Sequence, residues 1–287
     1  MIVQITRTKN ECFLLKEMFP LWQKFADGFV FFDDGSTDDT VEWLTANKEK
    51  YNILHIFEKG KGEKESEILK IESDERQMLF DEAHKHTNKI ICLDSDEYLD
   101  GELTKDKVEA LLGSYNDTVF YLHWVQYTSK DRIRVDGPWQ QNFTDRMGHY
   151  IQPASFPKAQ MHSLHLPRGT GGGISVPTHI LYVAHLQWLD MPWVGVKQYY
   201  WKVTDWVTRH QHNVGTIGAE GYDHSVNNFA WAYAPAPLPL KIREDIFKTQ
   251  DMKKNPKLEY IKKYTRMFNI PNLGDWGMGI HEYCLKD

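Results

Sequence analysis

The chain has 287 residues and a mass of 33.7 kDa, which is long enough for one large domain or two small ones. With 41% hydrophobic and 13% aromatic residues, it has a globular composition, which excludes a natively unfolded chain. The net charge of −6 argues against a nucleic-acid partner that is bound by phosphate neutralisation. No apolar run reaches the roughly 18 residues of a membrane-spanning helix, so we expect no transmembrane segment.

The cysteines and the first residues bear on the cellular setting. Cys12, Cys92 and Cys284 are far apart and match no disulfide framework or zinc-site spacing. The first eight residues lack the basic and long apolar regions of a secretory signal. These features favour a reducing, cytoplasmic setting. The chain also has 10 Trp and 14 Tyr, which are typical of a sugar-binding cleft, although ordinary core packing accounts for many of them.

The first hundred residues alternate between strand-like and helix-like patterns. In chain order we predict a strand at 1–6, a helix at 11–25 with a kink at Pro20, a strand at 28–32, a helix at 39–47, a strand at 52–57, a helix at 73–86 and a strand at 89–93. Strands that alternate with helices in this way form a mainly parallel sheet covered on both faces. The expected fold class is therefore α/β.

After about residue 115 the pattern changes. We predict strands at 118–127 and 180–188, further strand and loop at 132–151, a helix at 192–212 and one or two helices at 241–268. The glycine run at 169–173 is expected to be either a flexible loop or a lid over a ligand. Since no linker separates independent domains, we expect one domain at 1–235, with halves at 1–115 and 116–235, and a helical C-terminal extension at 236–287.

Acidic side chains follow two of the predicted strands. Asp33 and Asp34 come after the second strand, and Asp94 and Asp96 come after the fourth. In open α/β sheets ligands bind at the carboxyl ends of the strands, so we expect both pairs at one binding edge. Two carboxylates in an Asp-x-Asp bend suit a hard divalent cation that bridges to a diphosphate. The alternative for Asp94-Ser95-Asp96 is a solvated turn with an Asx cap. If Asp96 is a metal ligand in this loop, we expect its carboxylate to contribute little to the core.

Three ordered motifs within residues 1–125 resemble those of family 2 glycosyltransferases. Residues 31–40, Phe-Phe-Asp-Asp-Gly-Ser-Thr-Asp-Asp-Thr, resemble their vDDGStDgT segment, and 91–97, Ile-Cys-Leu-Asp-Ser-Asp-Glu, resemble their hhhDxDe metal motif. Residues 2–11 are similar to their first strand and the turn after it. The resemblance implies the Rossmann-like GT-A fold, a nucleotide-sugar donor (UDP-sugar in the first place), Mn²⁺ or Mg²⁺, and inverting transfer to a saccharide or glycoconjugate acceptor.

The resemblance also implies roles for individual positions. Those that would bind the nucleotide-sugar are Thr6, Arg7, Asp33, Asp34, Arg76, Asp94 and Ser95. Asp34 would accept a hydrogen bond from the base, in a pocket that Thr6 and Arg7 line. Arg76 lies on the helix before the metal strand, and an ordinary surface arginine is an equally good interpretation of it.

A metal would be held by Asp96 as its principal ligand, with Asp94 in contact with ribose or metal. Residues 181–185 and the aromatic helix after them are similar to a subgroup of these enzymes in which a histidine on a strand completes the metal shell. His185 is that histidine, and the alternative for it is a core residue bonded to a backbone carbonyl. The competing histidines are His162, His165 and His179.

Inverting transfer needs a general base beside the acceptor hydroxyl, and a carboxylate is the usual choice. The candidates, in order, are Asp136, Asp145, Glu220 and Asp223. Asp136 precedes a glycine, which is also typical of a plain β-turn aspartate. Arg146 and Arg168 are candidates for phosphate support, with surface ion pairs as the alternative.

Three other functions compete with glycosyl transfer. Residues 93–96 superficially match the nucleophile loop of haloacid-dehalogenase-type phosphatases, but Tyr98 stands where those enzymes need Thr or Val. A sugar-nucleotide pyrophosphorylase needs a glycine-rich loop after the first strand, and this chain has none. A non-catalytic carbohydrate-binding protein would keep the aromatic residues but would not need Asp94 and Asp96.

Overall fold

A computed structural model describes residues 1–59, 72–159, 163–212 and 232–268 of the chain. These residues belong to two compact units. The first comprises Met1–Val125, Gln141–His185 and Pro237–Lys241, and the second comprises Gln126–Gln140, Leu186–Ala236 and Ile242–Asp287. The predicted domain boundaries at 115/116 and 235/236 remain predictions.

The helices and strands agree with most of the predicted elements. In chain order they are β1 (Val3–Thr8), α1 (Cys12–Trp22), β2 (Gly28–Asp33), α2 (Thr40–Ala46), β3 (Ile53–Glu58), α3 (Glu72–His84), β4 (Lys89–Cys92), β5 (Glu97–Gly101), α4 (Lys105–Gly113), β6 (Thr118–Tyr127), β7 (Arg132–Arg134), β8 (Phe143–His149), β9 (Gly172–Ser175), β10 (Leu181–His185), α5 (Met191–His212), β11 (Tyr233–Pro235) and α6 (Pro256–Phe268). None of the described helices has both the length and the apolar character that crossing a membrane requires.

The first unit is built on a sheet with the strand order β3-β2-β1-β4-β8-β6. Strands β3, β2, β1 and β4 are parallel, whereas β8 is antiparallel to both β4 and β6. Strand β10 pairs antiparallel with β5. In the second unit β7 pairs antiparallel with β11 and with the last two residues of β6. The predicted mixed α/β sheet is thereby confirmed.

Strand β2 shows why the central strands have an unbroken apolar sequence. Successive residues of a strand point to opposite faces of its sheet. Val30 joins the core that Phe80 of α3 helps to form. Phe29 and Phe31 face α1 instead, where their rings lie 5.0 and 5.6 Å from that of Phe19. Helices therefore cover both faces of the strand, so neither face carries polar residues.

The glycine run at 169–173, predicted as a flexible loop or a lid over a ligand, is in part a strand. Its end belongs to β9, which pairs in parallel with the start of β6. A Cβ added at Gly169 would lie 1.9 Å from the backbone oxygen of Asp117. Only glycine allows two chain segments to approach this closely. Gly169, Gly171 and Gly173 therefore serve close packing, whereas Gly172 has open space around it and a φ of 88°.

Some elements differ from the predicted ones. Strand β5 and helix α4 were not predicted, since β5 carries Glu97 and Asp100, two acids that are rarely buried. The strand predicted at 180–188 ends earlier, at His185, and a 3₁₀ turn follows at Gln187–Leu189. The helical segment predicted near the C-terminus contains α6, preceded by two short 3₁₀ turns.

Candidate functional site

The turn after β2 is fixed to the turn after β1 through Asn10. The side-chain oxygen of Asn10 accepts hydrogen bonds from the backbone N–H groups of Thr37 (2.7 Å) and Asp38 (3.1 Å). Its own backbone N–H donates to Ser36 Oγ at 2.8 Å. Gly35 has a φ of 74°, which glycine adopts without strain. The Asp-Asp-Gly-Ser-Thr segment is thus a preformed loop at the carboxyl edge of the sheet.

The two acids of this loop have different environments. Asp33 is buried and accepts the backbone N–H of Ser36 at 2.8 Å, so it shapes the turn. Asp34 is partly exposed and contacts Lys59 at 2.9 Å and Lys9 at 3.3 Å. Burial acts to raise the pKa of Asp34, but the surrounding positive charges, that of Lys9 first, outweigh it and lower the pKa. Asp34 is therefore an ionised acceptor at pH 7.

A row of alternating charges connects β1 with α3. Arg7, at the end of β1, forms ion pairs with Glu72 at 3.1 Å and Glu75 at 2.5 Å. Glu72 also accepts a hydrogen bond from Nε of Arg76 at 2.9 Å. The side chain of Arg76 is only 5% exposed, and its Nη2 lies 3.8 Å from Oδ1 of Asp94. Arg76 is therefore not a surface arginine, which was the alternative that the sequence left open.

Thr6 and Ser95 lie close to this row. Thr6 is buried in β1, and its hydroxyl accepts a hydrogen bond from the side-chain amide of Gln4 at 3.1 Å. The buried hydroxyl of Ser95 donates to the backbone oxygen of Arg7 at 3.4 Å. This second bond ties the loop after β4 to the end of β1. A direct contact of either residue with a nucleotide remains a prediction.

Asp94 lies between two buried guanidinium groups. Nη1 of Arg146, on β8, is 3.9 Å from Oδ2 of Asp94, on the opposite side from Arg76. Burial acts to raise the pKa of Asp94, but Arg146 and Arg76 outweigh it and hold the pKa well below its ordinary value. Among the described residues, nothing accepts a hydrogen bond from Nη1 or Nε of Arg146. Arg146 is fully buried, which excludes a surface ion pair for it.

Glu97 holds this arrangement together. Its Oε1 accepts hydrogen bonds from Arg146 Nη2 and from Trp124 Nε1, both at 2.6 Å. Its Oε2 accepts the backbone N–H of Asp94 at 2.8 Å. Neither Glu97 nor Trp124 was predicted as a site residue. The signals that pointed to them were the position of Glu97 beside the Asp-x-Asp bend and the high number of Trp and Tyr residues in the chain.

The structure brings Asp96 and His185 together. Strand β10 pairs with β5 so that His185 lies opposite Glu97, and its Nε2 comes within 3.3 Å of Oδ2 of Asp96. The imidazole also stacks on Trp124, with ring centroids 4.3 Å apart. Asp96 and His185 are both almost completely buried. The alternative in which Asp96 lies in a solvated turn outside the core is therefore wrong.

The fit of these residues to a divalent cation is partial. In the described part of the chain, no three His, Cys, Asp or Glu side chains come close enough to hold a metal ion by themselves. Asp96 and His185 are paired, whereas Asp94 faces two arginines instead. Two protein ligands are enough for a cation that completes its shell with substrate phosphates and water. Asp96 and His185 fit such a site, and the three-ligand set with Asp94 remains a prediction.

Asp136, the first candidate for the general base, belongs to the second unit. Its two carboxylate oxygens accept hydrogen bonds from Nε and Nη2 of Arg134 at 2.8 and 2.7 Å. Arg134 is fully buried, and its guanidinium lies 4.4 Å from the ring centroid of Trp188. The backbone N–H of Ala232 also donates to Asp136. Within its own unit Asp136 thus has the partners of a structural carboxylate, and its role as base remains a prediction.

The other candidates are dispersed. Glu220, Asp223 and His162 lie outside the described residues. Arg168 and His179 are exposed. A cavity of about 380 Å³ in the first unit is lined in part by Phe25, Asp100 and Lys241, and none of the predicted site residues lines it.

Comparisons with known proteins found similarity among solved structures alone. No family profile matches the sequence, and no curated protein matches it. Among solved structures, S. aureus TarS is similar with a TM-score of 0.43 and 12% identity, over 78% of this chain and 42% of that chain. S. aureus TarS 1–349 in complex with UDP has a TM-score of 0.38 and 13% identity, over 78% of this chain and 68% of that one. A nucleoside-diphosphate-sugar pyrophosphorylase from Vibrio cholerae RC9 has a TM-score of 0.30 and 10% identity, over 87% and 98%. Likeness at this level carries no conclusion about family or activity.

Proposed function

We propose that the chain is a metal-dependent glycosyltransferase with a GT-A fold. It would move a sugar, with inversion, from a nucleotide-diphosphate sugar (UDP-sugar in the first place) to a hydroxyl of a saccharide or glycoconjugate. The observation that carries the proposal is Arg146, a fully buried guanidinium beside Asp94 whose Nη1 and Nε have no hydrogen-bond acceptor among the described residues. Buried donors are costly to leave unmet, and guanidinium groups are well suited to phosphate oxygens.

The loops that carry Asp34 and Asp94 would bind the two ends of one nucleotide, its base and its diphosphate. Asp34 follows β2 and Asp94 follows β4, and these strands flank β1 on its two sides. Neighbouring strands lie about 4.8 Å apart, so the two loops are separated by roughly 10 Å. Asp34 would accept a hydrogen bond from the base, and Arg76 and Arg146 would face the diphosphate.

The protein groups around the cation site have separate tasks. A divalent cation held by Asp96 and His185 would neutralise charge on the leaving diphosphate as a Lewis acid. Trp124 orients His185 by stacking, and Glu97 fixes the backbone of Asp94. Nη1 and Nε of Arg146, which have no hydrogen-bond acceptor among the described residues, would be its donors to a phosphate.

A thermal-shift panel tests the proposal. UDP-, GDP- and dTDP-sugars are added to the full chain with and without Mn²⁺, and release of nucleoside diphosphate is measured in parallel. We expect Mn²⁺-dependent stabilisation by one nucleotide class, since a ligand at 100 times its Kd stabilises by about 2.7 kcal/mol. Phosphatase activity without any nucleotide-sugar would favour the phosphatase alternative instead. Stabilisation by free sugars alone would favour a carbohydrate-binding protein.

Asp34→Ala should weaken binding of the free nucleoside diphosphate by about 1–3 kcal/mol. This is the cost when a buried hydrogen-bond donor, here on the base, loses its acceptor. Isothermal titration calorimetry measures the affinity. Asp81→Ala is the matched control, because Asp81 is an exposed carboxylate on α3. If both variants bind as the wild type does, Asp34 lies outside the nucleoside pocket.

A further inference from the structure

Strand β8 carries residues to the point where β4 ends. It runs antiparallel to β4 with Met147 opposite Ile91. Continuing this register places Arg146 opposite Cys92, the last residue of β4, and Asp145 opposite Leu93, the residue before Asp94. The contact between Arg146 and Asp94 agrees with that placement.

Asp145 fixes a histidine at this level. Its Oδ2 accepts the backbone N–H groups of His165 at 2.8 Å and Leu166 at 3.0 Å. Its Oδ1 lies 3.2 Å from Nδ1 of the His165 ring. Thr144 Oγ1 is 3.2 Å from the same nitrogen. His165 lies outside any helix or strand, and three contacts with one carboxylate nevertheless hold both its backbone and its ring.

This geometry sets the tautomer of the imidazole. An ionised carboxylate can only accept, so Nδ1 carries the proton and donates to Asp145. Nε2 then carries the lone pair. In the described part of the chain, both side-chain hydrogen bonds of the ring are made at Nδ1. The side chain of His165 is 21% exposed, so part of it is open to solvent.

We propose that His165, positioned by Asp145, is the general base that takes the proton from the acceptor hydroxyl. The inference rests on the proposed glycosyl transfer. The acceptor oxygen forms a bond to the anomeric carbon of the sugar while the bond from that carbon to the diphosphate oxygen breaks. The electron pair of the broken bond leaves with the diphosphate, and the hydroxyl proton moves to Nε2 of His165. Asp145 is a positioning residue, because it acts only through the imidazole.

Burial and nearby charges keep the His165 ring neutral at pH 7. Burial and the charges of Arg146 and Arg76 lower the pKa of His165 to about 4, while Asp145 and Asp94 act to raise it. At pH 7 the ring is therefore neutral and able to accept a proton. Protonation removes the base only as the pH falls towards about 4, so the rate should be level near neutrality and decline on that acid side.

The test uses the full chain and the nucleotide-sugar that stabilises it in the panel above, with water as the acceptor. His165→Gln should lower kcat for donor hydrolysis by about 100-fold or more and leave donor binding unchanged. Its residual rate should lack the acid limb of the wild-type pH profile. Asp145→Asn should lower kcat with an unchanged donor KM. His86→Gln, which replaces a partly exposed histidine just after α3, is the matched control.

A folding control separates loss of the base from loss of structure. Circular dichroism confirms that each variant is folded, and His165→Asn replaces His165→Gln if the latter is not. The assignment would be overturned if a folded His165 variant kept the turnover and the pH profile of the wild type. It would also be overturned if Asp136→Asn lost turnover while the His165 variant did not. If the wild-type chain binds no nucleotide-sugar and releases no diphosphate, the proposed function is overturned, and the base assignment with it.

Discussion

Asp96→Asn is expected to reduce metal-dependent turnover by about 100-fold or more and to abolish Mn²⁺-dependent binding of the nucleotide. A neutral amide is a much poorer ligand for a hard cation than a carboxylate, and a Lewis-acid metal supplies several kcal/mol of charge stabilisation. Asparagine is chosen because Asp96 is buried against His185, so alanine would also leave a cavity and remove a partner of that ring. Thermal shift with nucleotide and Mn²⁺, together with initial rates, measures both effects.

The control for this variant is Asp106→Asn, which makes the same change at an exposed position in the first turn of α4. It should leave turnover and the Mn²⁺ response unchanged. The melting temperature of Asp96→Asn without ligands should stay close to that of the wild type, because asparagine keeps the volume of aspartate and one acceptor oxygen that can face His185. Wild-type turnover with Mn²⁺ in a folded Asp96→Asn protein would show that Asp96 is not a metal ligand.

Glu97→Gln is expected to destabilise the first unit by about 3–5 kcal/mol, which is the usual cost of breaking a buried ion pair by removing one charge. Burial raises the pKa of Glu97 to about 8 and Arg146 acts to lower it. The three donors that its oxygens accept from favour the ionised form, so the comparison is made above pH 8. Glu97 and Arg146 are both fully buried, and all three side-chain partners of Glu97 are donors. An amide nitrogen in place of one oxygen would face a donor and leave Arg146 without its closest neutralising charge. Thermal melting of the ligand-free chain should show a decrease of about 10 °C.

Glu82→Gln provides the comparison for that stability change. Glu82 pairs with Lys85, whose side chain is 66% exposed, so the loss should be within about 0.5 kcal/mol. The Glu97 variant should also lose nucleotide binding, because the Glu97 carboxylate holds both the backbone N–H of Asp94 and the guanidinium of Arg146 in place. If Glu97→Gln and Glu82→Gln have the same melting temperature, Glu97 is not needed to stabilise the buried charge of Arg146.

The location of the two acid pairs at the carboxyl edge of the sheet could be predicted from the sequence, because the end of a strand is visible in the residues around it. Apolar runs that stop at Asp33-Asp34 and at Asp94-Ser95-Asp96 put both acid pairs at the carboxyl edge, and the structure has them there. The burial of Arg76 could not be predicted in the same way. Helix α3 presents Arg76 towards Glu72 and Cys92, and only the packing of α3 on the sheet makes that side of the helix an interior one.

The sequence by itself determined the alternation of strands and helices, the α/β class and the loops in which acids accumulate, because these depend on side-chain periodicity over a few residues. Only the tertiary structure decided which charges meet. Arg146 reaches Glu97, His185 reaches Asp96 and Asp145 holds His165 through strand register and loop packing between segments far apart in the chain. Such pairings depend on which strands become neighbours and in what register, and no local pattern of residues specifies that.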